Sequence, residues 1–143
     1  MKALLVVLAL LLATPAWAQS GPPAEGPKYD LSTVETLRGT VRSVAMHPDR
    51  RGTGYGVHLV VDADGEAVPV HLGPSWYLEG QDEQIDAGDA VVIVGSRVTL
   101  DREPIVIARE VQRGDAVLVL RDDAGHPAWR GWRRGATGPR GRR

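Results

Sequence analysis

The stretch YGVHLVVDADGEAVPVHL, residues 55–72, holds two alternating apolar runs on either side of Asp64-Gly65. Asp-Gly is a strong two-residue hairpin signal, because both central positions of that turn need φ > 0 and these residues tolerate it. Centring the turn there pairs residues whose numbers sum to 129. Val57, Leu59 and Val61 then share one face with Val68, Val70 and Leu72, an all-aliphatic inward set. The other face carries His58, Val60, Asp62, Ala67, Pro69 and His71. His58 and His71 fall directly opposite each other, where cross-strand Cβ atoms stand about 4.5–5.5 Å apart. The pairing follows from periodicity and one turn, and a one-residue slip would destroy it.

Working outward, period-two patterning continues, with Gly, Pro and Asp punctuating it. Strands are predicted over Leu37–Met46, Tyr55–Asp62, Glu66–Leu72, Ala90–Leu100 and Ile105–Val111, with an appended sixth over Ala116–Arg121. Between the third and fourth, Gly73-Pro74-Ser75 ends a strand and starts a short helix over Trp76–Glu79. Trp76 and Tyr77 are adjacent, so one should cover the barrel end while the other lies near the surface. Three strands, a helix and two strands predict an all-β fold: a small five-stranded OB-fold-like barrel, with a short helix between strands 3 and 4 and an appended C-terminal strand. An open β-sandwich or a meander competes, and strand order alone does not separate them.

On such barrels, oligonucleotides and oligosaccharides bind the outer surface of strands 2 and 3 and the loops joining strands 1–2 and 4–5. Here that surface would hold His58 and His71. The first loop, His47–Gly54, adds His47, Arg50 and Arg51, and the second, Asp101–Pro104, adds Arg102. Convergence of His47, His58 and His71 would suit zinc or copper, which neutral imidazoles bind well. The competing reading is ordinary polar surface.

The 143 residues make one domain's length. Cysteine is absent, which excludes disulfides, thiolate metal sites, covalent haem through CxxCH and cysteine nucleophiles. Met1-Lys2, the apolar run Ala3–Ala13 and Ala16-Trp17-Ala18 read as a signal peptide over residues 1–18. Eleven apolar residues fall short of the roughly 20 that a membrane-spanning helix needs, so no transmembrane segment is expected in the mature chain. The location expected is the periplasm or the exterior. Residues 19–28, rich in Pro and Gly, form a flexible leader; 29–127 form the barrel domain; 128–143 form a basic tail. Asp30 to His126 holds nine Arg and seventeen Asp or Glu, whereas Ala128 to Arg143 holds six Arg and no acid.

In that tail Trp129, Arg130, Trp132, Arg133 and Arg134 could engage an anionic polymer, anionic lipid or an acidic envelope protein. Export argues against chromosomal nucleic acid, and a solvated terminus is the competing reading. Catalysis is not expected. Ser75 lacks a G-x-S-x-G elbow, and Gly52-Thr53-Gly54-Tyr55-Gly56 lacks the P-loop lysine.

The segments VHLGPSWYL (70–78), GDAVVIVGS (88–96) and IAREV (107–111) resemble exported bacterial OB-fold domains. In particular they resemble the domain shared by the magnetosome-associated MamS and MamX proteins and their relatives in non-magnetic bacteria. Periplasmic OB-fold stress proteins are more loosely similar. The resemblance runs from about Tyr29 to Trp129, and HLGPSWYL is its distinctive part. It implies the fold and export, and it carries over no catalytic residues. MamX-type relatives hold haem through CxxCH, which a cysteine-free chain cannot do. The reading that follows is a non-catalytic exported binding or adaptor module of the cell envelope with no required cofactor. A divalent-metal-binding protein using its histidines, or a protein bound to anionic surfaces by its tail, are the alternatives.

Overall fold

The computed structural model describes residues 28–50 and 52–130. After a short 3-10 turn at Leu31–Thr33 come β1 (Val34–Pro48), β2 (Tyr55–Ala63), β3 (Glu66–Pro74), α1 (Ser75–Leu78), β4 (Ala90–Leu100), β5 (Glu103–Arg113) and β6 (Ala116–Val119). The hydrogen-bonded order is β3-β2-β1-β4-β5-β6, and β3 also pairs in parallel with β5 at Val70–Val106 and His71–Ile107. That pairing closes β1, β2, β3, β5 and β4 into a ring, with α1 between β3 and β4. The expected OB-type barrel is therefore the observed one, and β6 is the appended strand, lying on β5 from Arg113–Ala116 to Glu110–Val119. Among the described residues no helix is long and apolar enough to cross a membrane.

Closure depends on β1 serving two neighbours. Val34 to Thr40 pairs with β4, and Thr40 to Pro48 pairs with β2. A register shift between Val41 and Ser43 bends the strand between these two duties. Gly39 lies at this crossing, where an added Cβ would overlap the carbonyl of Asp62. Only glycine lets the two backbones approach so closely.

The β2–β3 hairpin turns at Asp64 (φ 51) and Gly65 (φ 83), and the Gly65 N–H donates to Asp62 Oδ1 at 3.0 Å. Leu59, Val61, Val68, Val70 and Leu72 are all buried. Each such side chain contributes about 1.5–3 kcal/mol, so turning this set outward would cost on the order of 10 kcal/mol, comparable with a whole domain's stability. The register is as expected from Ala63–Glu66 to His58–His71. Beyond it a bulge between Val57 and His58 places Val57 opposite Gly73 rather than Leu72. Val57 is only partly buried, packed against the core's edge.

Three further differences from expectation have local causes, while the expected division of labour between Trp76 and Tyr77 is observed. β1 continues through His47 and Pro48, so His47 stands on a strand and not in a loop. β3 runs through Gly73 and Pro74, and the helix begins at Ser75 after Pro74, with no side-chain cap. Tyr77, 7% exposed, plugs the barrel, whereas Trp76 is 37% exposed. Trp129, grouped with the tail from its Arg and Gly neighbours, instead packs against the core.

The barrel's closing seam has a fastening that patterning alone does not reveal. Where the parallel β3–β5 pairing ends, the guanidinium of Arg121 donates to the carbonyls of Leu72, at 3.1 Å, and Ala108. Trp129 covers it, with the ring centroid 5.0 Å from the guanidinium carbon. The indole lies over Gly73, where an added Cβ would be 2.6 Å from the ring, and beside Tyr77 at 5.3 Å between centroids. Arg121 is 6% exposed, and burial lowers its pKa to about 10, so it remains charged at neutral pH.

Candidate functional site

Three imidazoles meet on the outward face of the sheet, one from each of β1, β2 and β3. The pairs Ala45–His58 and His58–His71 put these residues on a common face. His47, two residues after Ala45, is the diagonal neighbour of His58. The rings of His58 and His71 are 4.7 Å apart at 61°, with His71 Nδ1 and His58 Nε2 separated by 3.1 Å, so that one donates to the other. The His47 ring meets His58 edge-on at 4.9 Å and 74°. His58 and His71 are partly buried, while His47 is exposed at the end of its strand.

Gly56 lies against this gathering. It is directly opposite His47 on β1 and two residues before His58 on β2. A Cβ there would lie 3.3 Å from His71 Cε1 and 3.5 Å from His58 Nε2. The missing side chain leaves a notch against the paired ring edges.

Electrostatics keep the pair neutral. Burial first, then the charges of His58 and Arg121, push the His71 pKa down to about 3. Burial and the neighbouring His47 lower that of His58. At the hairpin end of the same face, Asp62 is already engaged: Arg42 donates to Oδ2 at 2.6 Å and the Gly65 N–H to Oδ1. Among the described residues no group of three or more His, Asp or Glu side chains is arranged to hold a metal. The built element is the imidazole pair, with His47 beside it in edge-on contact.

The two flanking loops also come together. Arg50 donates to both carboxylate oxygens of Asp101, at 2.9 and 3.0 Å, tying the β1–β2 loop to the β4–β5 turn. Asp49 shapes its own loop by accepting from the Thr53 N–H at 2.9 Å and from the Thr53 hydroxyl at 3.0 Å. Arg102 is exposed in the turn at φ 72. Arg51 lies outside the described residues, as do Trp132, Arg133 and Arg134 of the tail. Of the remaining tail positions, Arg130 is exposed and Trp129 serves the seam.

Sequence reasoning placed the His58–His71 pair and missed two participants. Gly56 stood in a Gly-rich segment that read as a connector, although its even spacing from His58 marked it as a gap on the histidine face. Arg121 had one usable signal, a lone cation closing an apolar strand before two aspartates.

The sequence profile of the MamS/MamX magnetosome protein family matches residues 33–118, more than half of the chain. No curated protein matches it. The matched span takes in the three histidines and most of the barrel, and it stops short of Arg121 and Trp129.

Proposed function

The chain belongs to the MamS/MamX magnetosome protein family, and from that premise we infer that it is a non-catalytic, exported binding or adaptor module of the cell envelope. The observation that carries this reading is the imidazole pair of His58 and His71, held at 3.1 Å on the outward β2–β3 face with His47 beside it. OB-type barrels bind ligands on this surface, and neutral imidazoles offer both donors and acceptors there. Export is supported by the signal-peptide pattern of residues 1–18. Covalent haem is not part of the reading, because the chain has no cysteine.

The face is tested by placing a photo-crosslinking residue at Ala67, exposed on the same side, and at Gln112, exposed on β5, in cells producing the full chain. Defined crosslinked species from Ala67 and not from Gln112 are expected. Equal yields from both positions, or none from Ala67, would contradict a dedicated binding face. Mass spectrometry of the exported form should find Gln19 at its N-terminus.

The charge separation favours a second reading, attachment to anionic surfaces through the basic tail. Because Trp129 packs on the barrel, the fair truncation ends after Arg130 and leaves the seam intact. Flotation with vesicles rich in anionic phospholipid should fall for that form and fall with salt for the full chain. Equal flotation of the two would remove this reading.

A further inference from the structure

We propose that the notch between Gly56, His58 and His71 is a divalent transition-metal site for copper(II) or zinc(II), with His58 Nε2 and His71 Nδ1 as a two-nitrogen chelating pair and water in the remaining positions. This rests on the reading of the β2–β3 face as a binding surface and names its ligand class.

The spacing of the two nitrogens suits a shared ion. Two imidazole nitrogens bound to one ion at about 2.0–2.1 Å stand about 2.9 Å apart at a right angle and about 3.4 Å apart at the tetrahedral angle. The observed 3.1 Å falls between these limits. Two imidazole nitrogens so close need either a proton or a cation between them, since their lone pairs otherwise repel. Entry of a cation requires only that the donor ring carry its hydrogen on its other nitrogen, with no net proton lost.

A Cβ at position 56 would stand 3.5 Å from His58 Nε2 and 3.3 Å from His71 Cε1, the chain carries glycine there, and Gly56 has no positive φ to explain that choice. A side chain there would crowd His71 Cε1 and His58 Nε2, the edges from which an ion would be held. His47, exposed and directly opposite Gly56, stands beside the pair in edge-on contact with His58. Asp62, fixed by Arg42 and Gly65, lies farther along the face, so water completes the shell. An all-nitrogen donor set with open positions suits copper or zinc and disfavours magnesium and calcium, which take oxygen ligands.

The test uses the untagged full chain titrated with copper(II) and zinc(II) by calorimetry, with the electron paramagnetic resonance spectrum of the copper form recorded alongside. One ion per chain, nitrogen superhyperfine structure and an affinity tighter than about 10 μM are expected. His58→Ala should weaken binding by about tenfold or more. Gly56→Val retains every imidazole and should weaken it comparably by filling the notch, which separates ligation from loss of fold when circular dichroism is unchanged. His126→Ala, at an exposed histidine beside Asp122, should leave binding as it is. Unchanged affinity in both His58→Ala and Gly56→Val, loss only in His126→Ala, or no binding at all would overturn the proposal. If metal fails while Ala67 still crosslinks, the metal site alone is withdrawn; if both fail, the face is not a binding surface.

Discussion

Replacing Arg121 with methionine should loosen the barrel at its closing seam. The guanidinium supplies two hydrogen bonds, to the carbonyls of Leu72 and Ala108, where the parallel strands part, and it stacks under Trp129. Hydrogen bonds from a charged donor are worth about 1.5–3 kcal/mol each, and the stacking adds about 0.5–1 kcal/mol, giving a gross loss of about 3.5–7 kcal/mol. Against this, the variant no longer desolvates a buried cation, which returns several kcal/mol. Methionine also refills most of the volume. The net loss expected is about 2–4 kcal/mol, equivalent to a fall in Tm of about 10–25 °C for a domain of this size. Urea unfolding followed by circular dichroism should show a lower midpoint with an unchanged slope. A loss below about 1 kcal/mol would refute the reasoning, because the two carbonyls would then have found other partners at little cost.

Three other outcomes follow from the same packing. Gly73→Ala drives a methyl into the Trp129 ring and should cost about 1–3 kcal/mol in the parent but much less in a Trp129→Leu background, a non-additivity that a double-mutant cycle measures. Tyr77→Ala should cost about 3–5 kcal/mol and Trp76→Ala about 1 kcal/mol or less, reflecting the plug and the exposed ring, with urea midpoints as the check. Acidification should destabilise the domain well above the carboxylate range. His71 stays neutral in the fold down to about pH 3, while the unfolded chain takes up its proton below about 6.5. Its stabilising contribution is complete above pH 6.5 and is lost as pH falls, on the order of 2 kcal/mol by pH 4.5. Asp62 and Asp122, held below the usual carboxylate range by their hydrogen bonds, add their loss only at lower pH. Urea midpoints from pH 8 to 4.5 should decline in the parent and decline clearly less in His71→Asn, where the lowered pKa of His58 still contributes.

How far the residues reveal this architecture depends on whether the governing contact is periodic or particular. Asp64-Gly65 and the aliphatic alternation about it determine both a turn and a register, so the His58–His71 opposition was legible in the chain. The bulges were not. The shift at Val41–Ser43 lies inside a stretch that reads as one strand, and His47 and Pro48 read as loop because they lead into the polar, Gly-punctuated stretch through Gly54, although Gly56 and Tyr55 pair with them. Trp129 reads as tail because its neighbours are Arg and Gly; its contact with Gly73 joins residues far apart in sequence, and no local pattern encodes it. Arg121 is buried for the sake of two backbone carbonyls, and backbone acceptors leave no trace in side-chain composition.

Two neutral imidazoles face each other across β2 and β3. This opposition is tested most directly by nuclear magnetic resonance of the metal-free, nitrogen-15-labelled chain, through the scalar coupling transmitted across a hydrogen bond between His71 Nδ1 and His58 Nε2. A resolved coupling between those two nitrogens is expected, with the bridging ring proton protected from solvent exchange. Two rings without mutual coupling, both titrating near pH 6.5 as free histidines do, would contradict it.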